Sequence, residues 1–95
     1  MPEVRLRRNA ERDLRRIGPG PQRKRIAAAL TALGADMANL DIKALAATSP
    51  WRRLRVGDYR VLYWQRPDNV YEVGRIVHRS DLDEAAANLP VVEGS

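Results

Sequence analysis

Residues 51–64 read WRRLRVGDYRVLYW, two alternating runs separated by Gly57-Asp58. Such period-2 alternation on either side of a turn pair is the signature of a β-hairpin. In the first run Trp51, Arg53 and Arg55 fall on one face and Leu54 and Val56 on the other. In the second, Arg60, Leu62 and Trp64 lie opposite Tyr59, Val61 and Tyr63. The turn pair runs Gly-Asp, the reverse of the commoner Asp-Gly. Pro67-Asp68-Asn69 supplies a second turn, and Val70–Val77 a third strand. Unbroken alternation puts Arg75 and Arg79 on a face with Tyr71, Val73 and Val77. Three successive strands with short turns predict an antiparallel meander.

Upstream, Val4 and Leu6 alternate with charges in a short strand over 3–8, and Asn9 is the predicted N-cap of a helix. Ala10, Leu14 and Ile17 then share one helical face. Gly18-Pro19-Gly20-Pro21 breaks the chain, and Ile26, Ala29, Leu30 and Leu33 give a second helix from Gln22 to about Gly34. Residues 35–50 read as an irregular connection, pinned to the core by Leu40, Ile42 and Leu45 and closed by Pro50. Residues 81–89 form a last short helix with acids in its first turn, where the helix dipole favours them. The expectation is an α+β domain of order β-α-α-β-β-β-α: an antiparallel β-sheet with a helical hairpin packed on one face. It covers 1–90, with 91–95 a flexible tail whose final Gly94-Ser95 is the kind of pair a cloning site leaves.

Composition narrows the function. The chain has 95 residues with 17 Lys+Arg against 12 Asp+Glu, a formal net charge of +5. Lysine occurs only at Lys24 and Lys43, so arginine carries the charge. With no cysteine and one histidine, disulfide frameworks, thiolate zinc sites and multi-histidine metal sites are excluded. No metal or cofactor is expected. No apolar run approaches the roughly 18 residues of a membrane span. A cytoplasmic protein with an anionic partner, nucleic acid or an acidic protein, is the expectation.

The chemistry points to the arginines of the sheet half. If Arg53, Arg55, Arg60 and Arg79 converge, they present many permanently charged donors suited to phosphate. The alternative is a solvated basic face, and for the helix residues Arg12, Arg15, Arg16, Arg23 and Arg25 that reading is preferred. His78 is either structural or an acid–base group. Trp51 shares a face with Arg53 and Arg55 and is the aromatic selected for base stacking. Asp83 and Glu84 read as dipole partners of the last helix.

The run from Arg53 through Gly57-Asp58-Tyr59-Arg60 to Tyr63, followed by Ile76-Val77-His78-Arg79-Ser80-Asp81-Leu82, resembles the RelE/ParE superfamily of toxins from bacterial type II toxin–antitoxin systems. The likeness extends over nearly the whole chain. It implies a RelE-like fold and, in the RelE branch, an endoribonuclease that enters the ribosomal A site and cuts mRNA through its own ribose 2′-hydroxyl. Carried over by position, Arg60 would hold the phosphate and Arg79 the transition-state charge. Arg53 and Arg55 would occupy basic positions on the preceding strand, where lysine often serves as base or charge stabiliser; His78, next to Arg79 in the chain, is a catalytic candidate on its own chemistry and not through the resemblance. Apart from the resemblance, Trp51, Arg52, Arg75 and Asp83 are the candidates for contact with RNA. Active relatives often carry tyrosine where this chain has Asp83. The resemblance also implies a separate, acidic antitoxin chain in a hetero-oligomer. Two alternatives stand beside the nuclease: a ParE-like inhibitor of DNA gyrase, and a decayed toxin that only binds its antitoxin.

Overall fold

β3 (Trp51–Val56) and β4 (Tyr59–Gln65) pair antiparallel, with Leu54 opposite Val61 and Arg55 opposite Arg60. Gly57 takes φ +58° and Asp58 stays at negative φ. That is the sign pattern of a type II′ turn, in which glycine belongs at the first central position, so the Gly-Asp order is the favoured one here. The computed structural model describes residues 2–47 and 49–92. Of the predicted tail, Val91 is fully exposed, and residues 93–95 lie outside the described residues.

The remaining elements are β1 (Glu3–Leu6), α1 (Arg8–Ile17), α2 (Pro21–Ala35), β2 (Asp41–Ala44), β5 (Val70–His78), a 3-10 turn (Arg79–Asp81) and α3 (Leu82–Ala87). The strands form one five-stranded sheet in the order β1-β5-β4-β3-β2. Every neighbour pair is antiparallel except β1 with β5, which is parallel, so the sheet is mixed. This differs from the all-antiparallel sheet expected from the meander. Because β1 and β2 occupy opposite edges, the α1–α2 hairpin between them crosses a whole face of the sheet. Asn9 does not cap α1. The Arg7 N–H still bonds the Val73 carbonyl, and the Arg7 carbonyl accepts the Glu11 N–H, so strand passes directly into helix.

A further difference is β2, expected as irregular chain. It pairs antiparallel with β3, Asp41 opposite Arg55 and Lys43 opposite Arg53. Its sequence, Asp-Ile-Lys-Ala, has weak β-propensity and one large apolar residue, so the neighbouring strand imposes the pairing. Ile42 packs under the hairpin as expected, whereas Leu45 joins the opposite face.

The core has two parts. Ala10, Ile26, Leu33, Leu54, Val61, Tyr63, Val73 and Ile76 fill the space between the hairpin and the sheet. On the other face Leu62 and Val77 pack with Ala85 of α3. Each fully buried large aliphatic contributes about 1.5–3 kcal/mol. Between Leu62↔Arg75 and Tyr63↔Val73 the β4–β5 register shifts, leaving Gly74 as the extra residue of a bulge. A Cβ at Gly74 would lie 2.7 Å from the Trp51 ring, so the bulge position admits only glycine without rearrangement. The bulge also inverts the parity of β5. Val73 stays under the hairpin while Val77 faces α3, correcting the expectation that both share a face with Arg75.

Candidate nucleic-acid interface

The face of the sheet away from the hairpin carries the arginines. Arg53 lies opposite Leu62, Arg55 opposite Arg60, and Arg60 opposite Val77, which places all three on the α3 side. Arg79 follows β5 immediately, its N–H bonded to the Asp58 carbonyl at 2.7 Å. Arg60 is the centre of the group. Its guanidinium is held below its ordinary pKa first by burial, then by the charges of Arg55, Arg53 and Arg79, with Asp41 acting in the opposite sense. It remains charged at any physiological pH. Two like charges directly across a strand pair, Arg55 and Arg60, destabilise the sheet and persist only where something else favours them.

The counter-charges are unequally shared. Arg53 Nη1 is 3.3 Å from Asp41 Oδ1, and Arg55 Nη1 is 4.0 Å from Asp41 Oδ2. Arg79 Nε is 3.7 Å from Asp58 Oδ1, with both side chains about two-thirds exposed. Among the described residues Arg60 makes no ion pair. Its Nη1 donates instead to the carbonyls of Gly57 at 2.9 Å and Tyr59 at 3.0 Å. Those bonds fix one end of the fork, while the remaining guanidinium donors make no hydrogen bond among the described residues. Four guanidinium charges against two loosely held carboxylates leave the face positive. Asp41 and Lys43 both belong to it, and sequence reading missed both. The only signal was the alternation in Asp41-Ile42-Lys43, too short to mark a strand by itself.

Other sequence-selected residues lie elsewhere. His78 sits across from Tyr59, on the hairpin side, with the rings edge to face at 5.8 Å. Its Nδ1 accepts the Ser80 N–H at 3.2 Å and lies 2.8 Å from Ser80 Oγ, so it caps the 3-10 turn. Strand parity thus turns His78 away from Arg53, Arg55 and Arg60 and toward Tyr59. Trp51 has the right parity but is only 4% exposed. Its Nε1 donates to the Pro90 carbonyl at 3.1 Å and its ring packs against Gly74, so the chain after α3 covers the surface that stacking requires. Arg52 lies opposite Tyr63 and projects from the hairpin side. Asp83 is exposed in the first turn of α3.

Arg75 is held by a partner that the sequence reading did not identify. Its Nε and Nη2 donate to Asp13 at 2.7 and 3.2 Å, and Asp13 also accepts the Ile76 N–H at 2.9 Å. The Arg75 pKa is raised, first by the hydrogen bond to Asp13, with burial opposing. Asp13 is buried on the core face of α1, three residues after Ala10. It satisfies the edge of β5 just where β1 has ended. A polar residue at a core position of the apolar stripe is the signal that would have found it. Asp13, Arg75 and His78 line a cavity of about 400 Å³ between α1, β5 and α3, which none of Arg53, Arg55, Arg60 or Arg79 borders. No group of three or more His, Cys, Asp or Glu side chains among the described residues is placed to hold a metal ion.

Solved structures share this architecture. The RelE chain of an archaeal RelE–RelB complex from Pyrococcus horikoshii OT3 superposes with a TM-score of 0.68 at 23% identity, over 82% of this chain and 94% of that one. A RelB–RelE antitoxin–toxin complex from Methanococcus jannaschii gives 0.65 at 26% identity, over 83% and 94%. YafQ from E. coli strain BL21(DE3) gives 0.66 at 14% identity, over 86% and 98%. At 14% and 23% identity the likeness is one of fold alone. No curated protein sequence matches the chain. A family model described as the ParE toxin of type II toxin–antitoxin systems, parDE, matches residues 4–83, most of the chain. With the RelE-like fold in place around that match, the chain belongs to the RelE/ParE superfamily and is a toxin of a type II toxin–antitoxin system.

Proposed function

We propose that this toxin is a ribosome-dependent mRNA endoribonuclease whose arginine face binds the scissile phosphodiester. The observation that carries the reading is Arg60: a fixed guanidinium flanked by Arg53, Arg55 and Arg79, with no ion pair of its own among the described residues. In the reaction the ribose 2′-oxygen attacks the adjacent phosphorus. The O2′–P bond forms, the P–O5′ bond breaks, and a 2′,3′-cyclic phosphate and a 5′-hydroxyl result. Solvent takes the 2′ proton and returns one to the leaving oxygen. The chain contributes charge: Arg60 holds the non-bridging oxygens, Arg79 meets the charge that develops in the transition state, and Arg53 and Arg55 keep the field positive. Preorganised donors of this kind are worth about 10²–10³ in rate each. The same positive face suits an acidic antitoxin, a separate chain whose binding in a hetero-oligomer would mask the arginines in the cytoplasm.

A second reading is favoured by the family model, which is that of ParE toxins. It is supported too by Asp83, an anion at the position where the resemblance to ribonuclease toxins often implies a tyrosine. In that reading the chain inhibits DNA gyrase by binding and cuts nothing. Mapping 5′-hydroxyl mRNA ends after induction separates the two. New ends that vanish in Arg60→Ala/Arg79→Ala, together with relief of growth arrest, support the nuclease. Intact mRNA with a DNA-damage response supports gyrase inhibition.

A further inference from the structure

We propose that Asp41 is a built-in competitor of the RNA phosphate, a carboxylate that occupies part of the arginine face in the free toxin and yields it to the incoming anion. The inference deepens the nuclease reading and rests on it.

The geometry is that of a forked anion set on two guanidinium groups. Asp41 directs one oxygen at Arg53 and the other at Arg55, across the β2–β3 pair. A phosphate presents two non-bridging oxygens in the same way. The carboxylate is not a tight partner. Its contacts of 3.3 and 4.0 Å are long for charge-assisted bonds, which settle near 2.7–2.9 Å. The Asp13–Arg75 pair in the same molecule reaches 2.7 Å. The Asp41 side chain is 47% exposed, so water and salt reach it. The Arg55 contact, with that side chain 58% exposed, is worth little, and the Arg53 contact, on a side chain 16% exposed, is the firmer of two long contacts that an anion can replace. Asp41 also opposes the lowering of the Arg60 pKa by the other arginines, so its field extends to the centre of the face.

The placement has a structural basis. Without Asp41, Lys43, Arg53, Arg55 and Arg60 would lie side by side on three adjacent strands with no carboxylate among them. Asp41 lowers that repulsion while the site is empty. Once a phosphodiester is seated the same charge repels it. The residue therefore trades affinity for stability of the empty face, and its removal should tighten binding.

The test uses fluorescence anisotropy of a labelled single-stranded 2′-O-methyl RNA oligonucleotide, which cannot be cleaved, titrated with purified full-length toxin at several salt concentrations. Asp41→Asn is expected to bind about five- to tenfold more tightly than wild type at low salt, with the gain shrinking as salt rises. Its log–log salt slope should steepen by about one counterion. Asp41→Ser, which cannot pair with Arg53 through an amide, should behave alike. Glu11→Gln on α1 removes one negative charge away from the arginine face and should gain little. Equal or weaker binding by both Asp41 variants overturns the proposal, as does an equal gain in Glu11→Gln, which would reduce it to net charge. If Asp41→Asn binds as wild type does but cleaves more slowly on the ribosome, Asp41 is a proton acceptor and the proposal is likewise wrong. Failure of a different kind is visible too: if wild type and Arg60→Ala bind the oligonucleotide equally, the arginine face is not the RNA site.

Discussion

Replacing Asp13 with alanine removes the acceptor for the Ile76 N–H and for two nitrogens of Arg75. The backbone contact is buried, and an unmet buried donor costs about 1–3 kcal/mol. The Arg75 side chain is 30% exposed, so the loss of its partner is discounted to about 0.5–1 kcal/mol. Together the substitution should cost about 1.5–4 kcal/mol, a large part of the stability of a small domain. At about 4–8 °C per kcal/mol, Tm should fall by roughly 6–32 °C. Urea unfolding followed by far-UV circular dichroism measures it, and the midpoint should move with m unchanged. Asp13→Asn keeps an oxygen for Ile76 but not the charge, and should lose about half as much. A loss under about 0.5 kcal/mol in Asp13→Ala would refute the reasoning, because the edge of β5 would then be satisfied without this carboxylate.

Acid should weaken the protein in part through Glu72. Burial alone would raise its pKa, but hydrogen bonds from Trp64 and Arg7 and the charges of Arg7 and Arg66 outweigh it and lower the value. The associated stability is present above the ordinary carboxylate value of 4.5 and lost as pH falls below it, so Glu72→Gln should flatten that limb of a stability–pH curve. At the alkaline end burial pushes the Tyr63 hydroxyl up from 10.0 to about 12, with Arg52 opposing. Its contribution is complete below pH 10.0 and disappears on the way to about 12, so Tyr63→Phe should lessen the decline over that interval in the same unfolding series. Gly74→Ala sets a methyl group 2.7 Å from the Trp51 ring and should cost at least about 1–3 kcal/mol, with altered near-UV dichroism reporting the displaced indole.

Local pattern explains what could be read in advance. The β3–β4 hairpin follows from alternation across a glycine turn, and the two long helices from Ala10, Leu14 and Ile17 and from Ile26, Ala29, Leu30 and Leu33. These signals lie within a few residues of one another. What escaped depends on distant neighbours. The pairing of β2 comes from β3, ten residues downstream, and the parallel contact of β1 from β5 near the other end of the chain. The bulge at Gly74, where Trp51 leaves no room for a Cβ, overturns every parity assignment beyond it. The arginine face was legible where it rested on β3 and β4, whose register the hairpin fixes. The partners of Trp51, Arg75 and His78 were not legible, because the Pro90 carbonyl, Asp13 and Ser80, which engage them, become neighbours only in the folded chain.

The parallel seam between β1 and β5 also sets an order of events during synthesis. Residues 3–6 are made long before their hydrogen-bonding partners at 70–73. Sheets closed by such distant segments form late and slowly. Arg79 lies farther still along the chain. Under the proposed nuclease mechanism a nascent or truncated copy lacks both the finished scaffold and its last guanidinium, and that delay leaves an interval in which the unfinished chain cannot act.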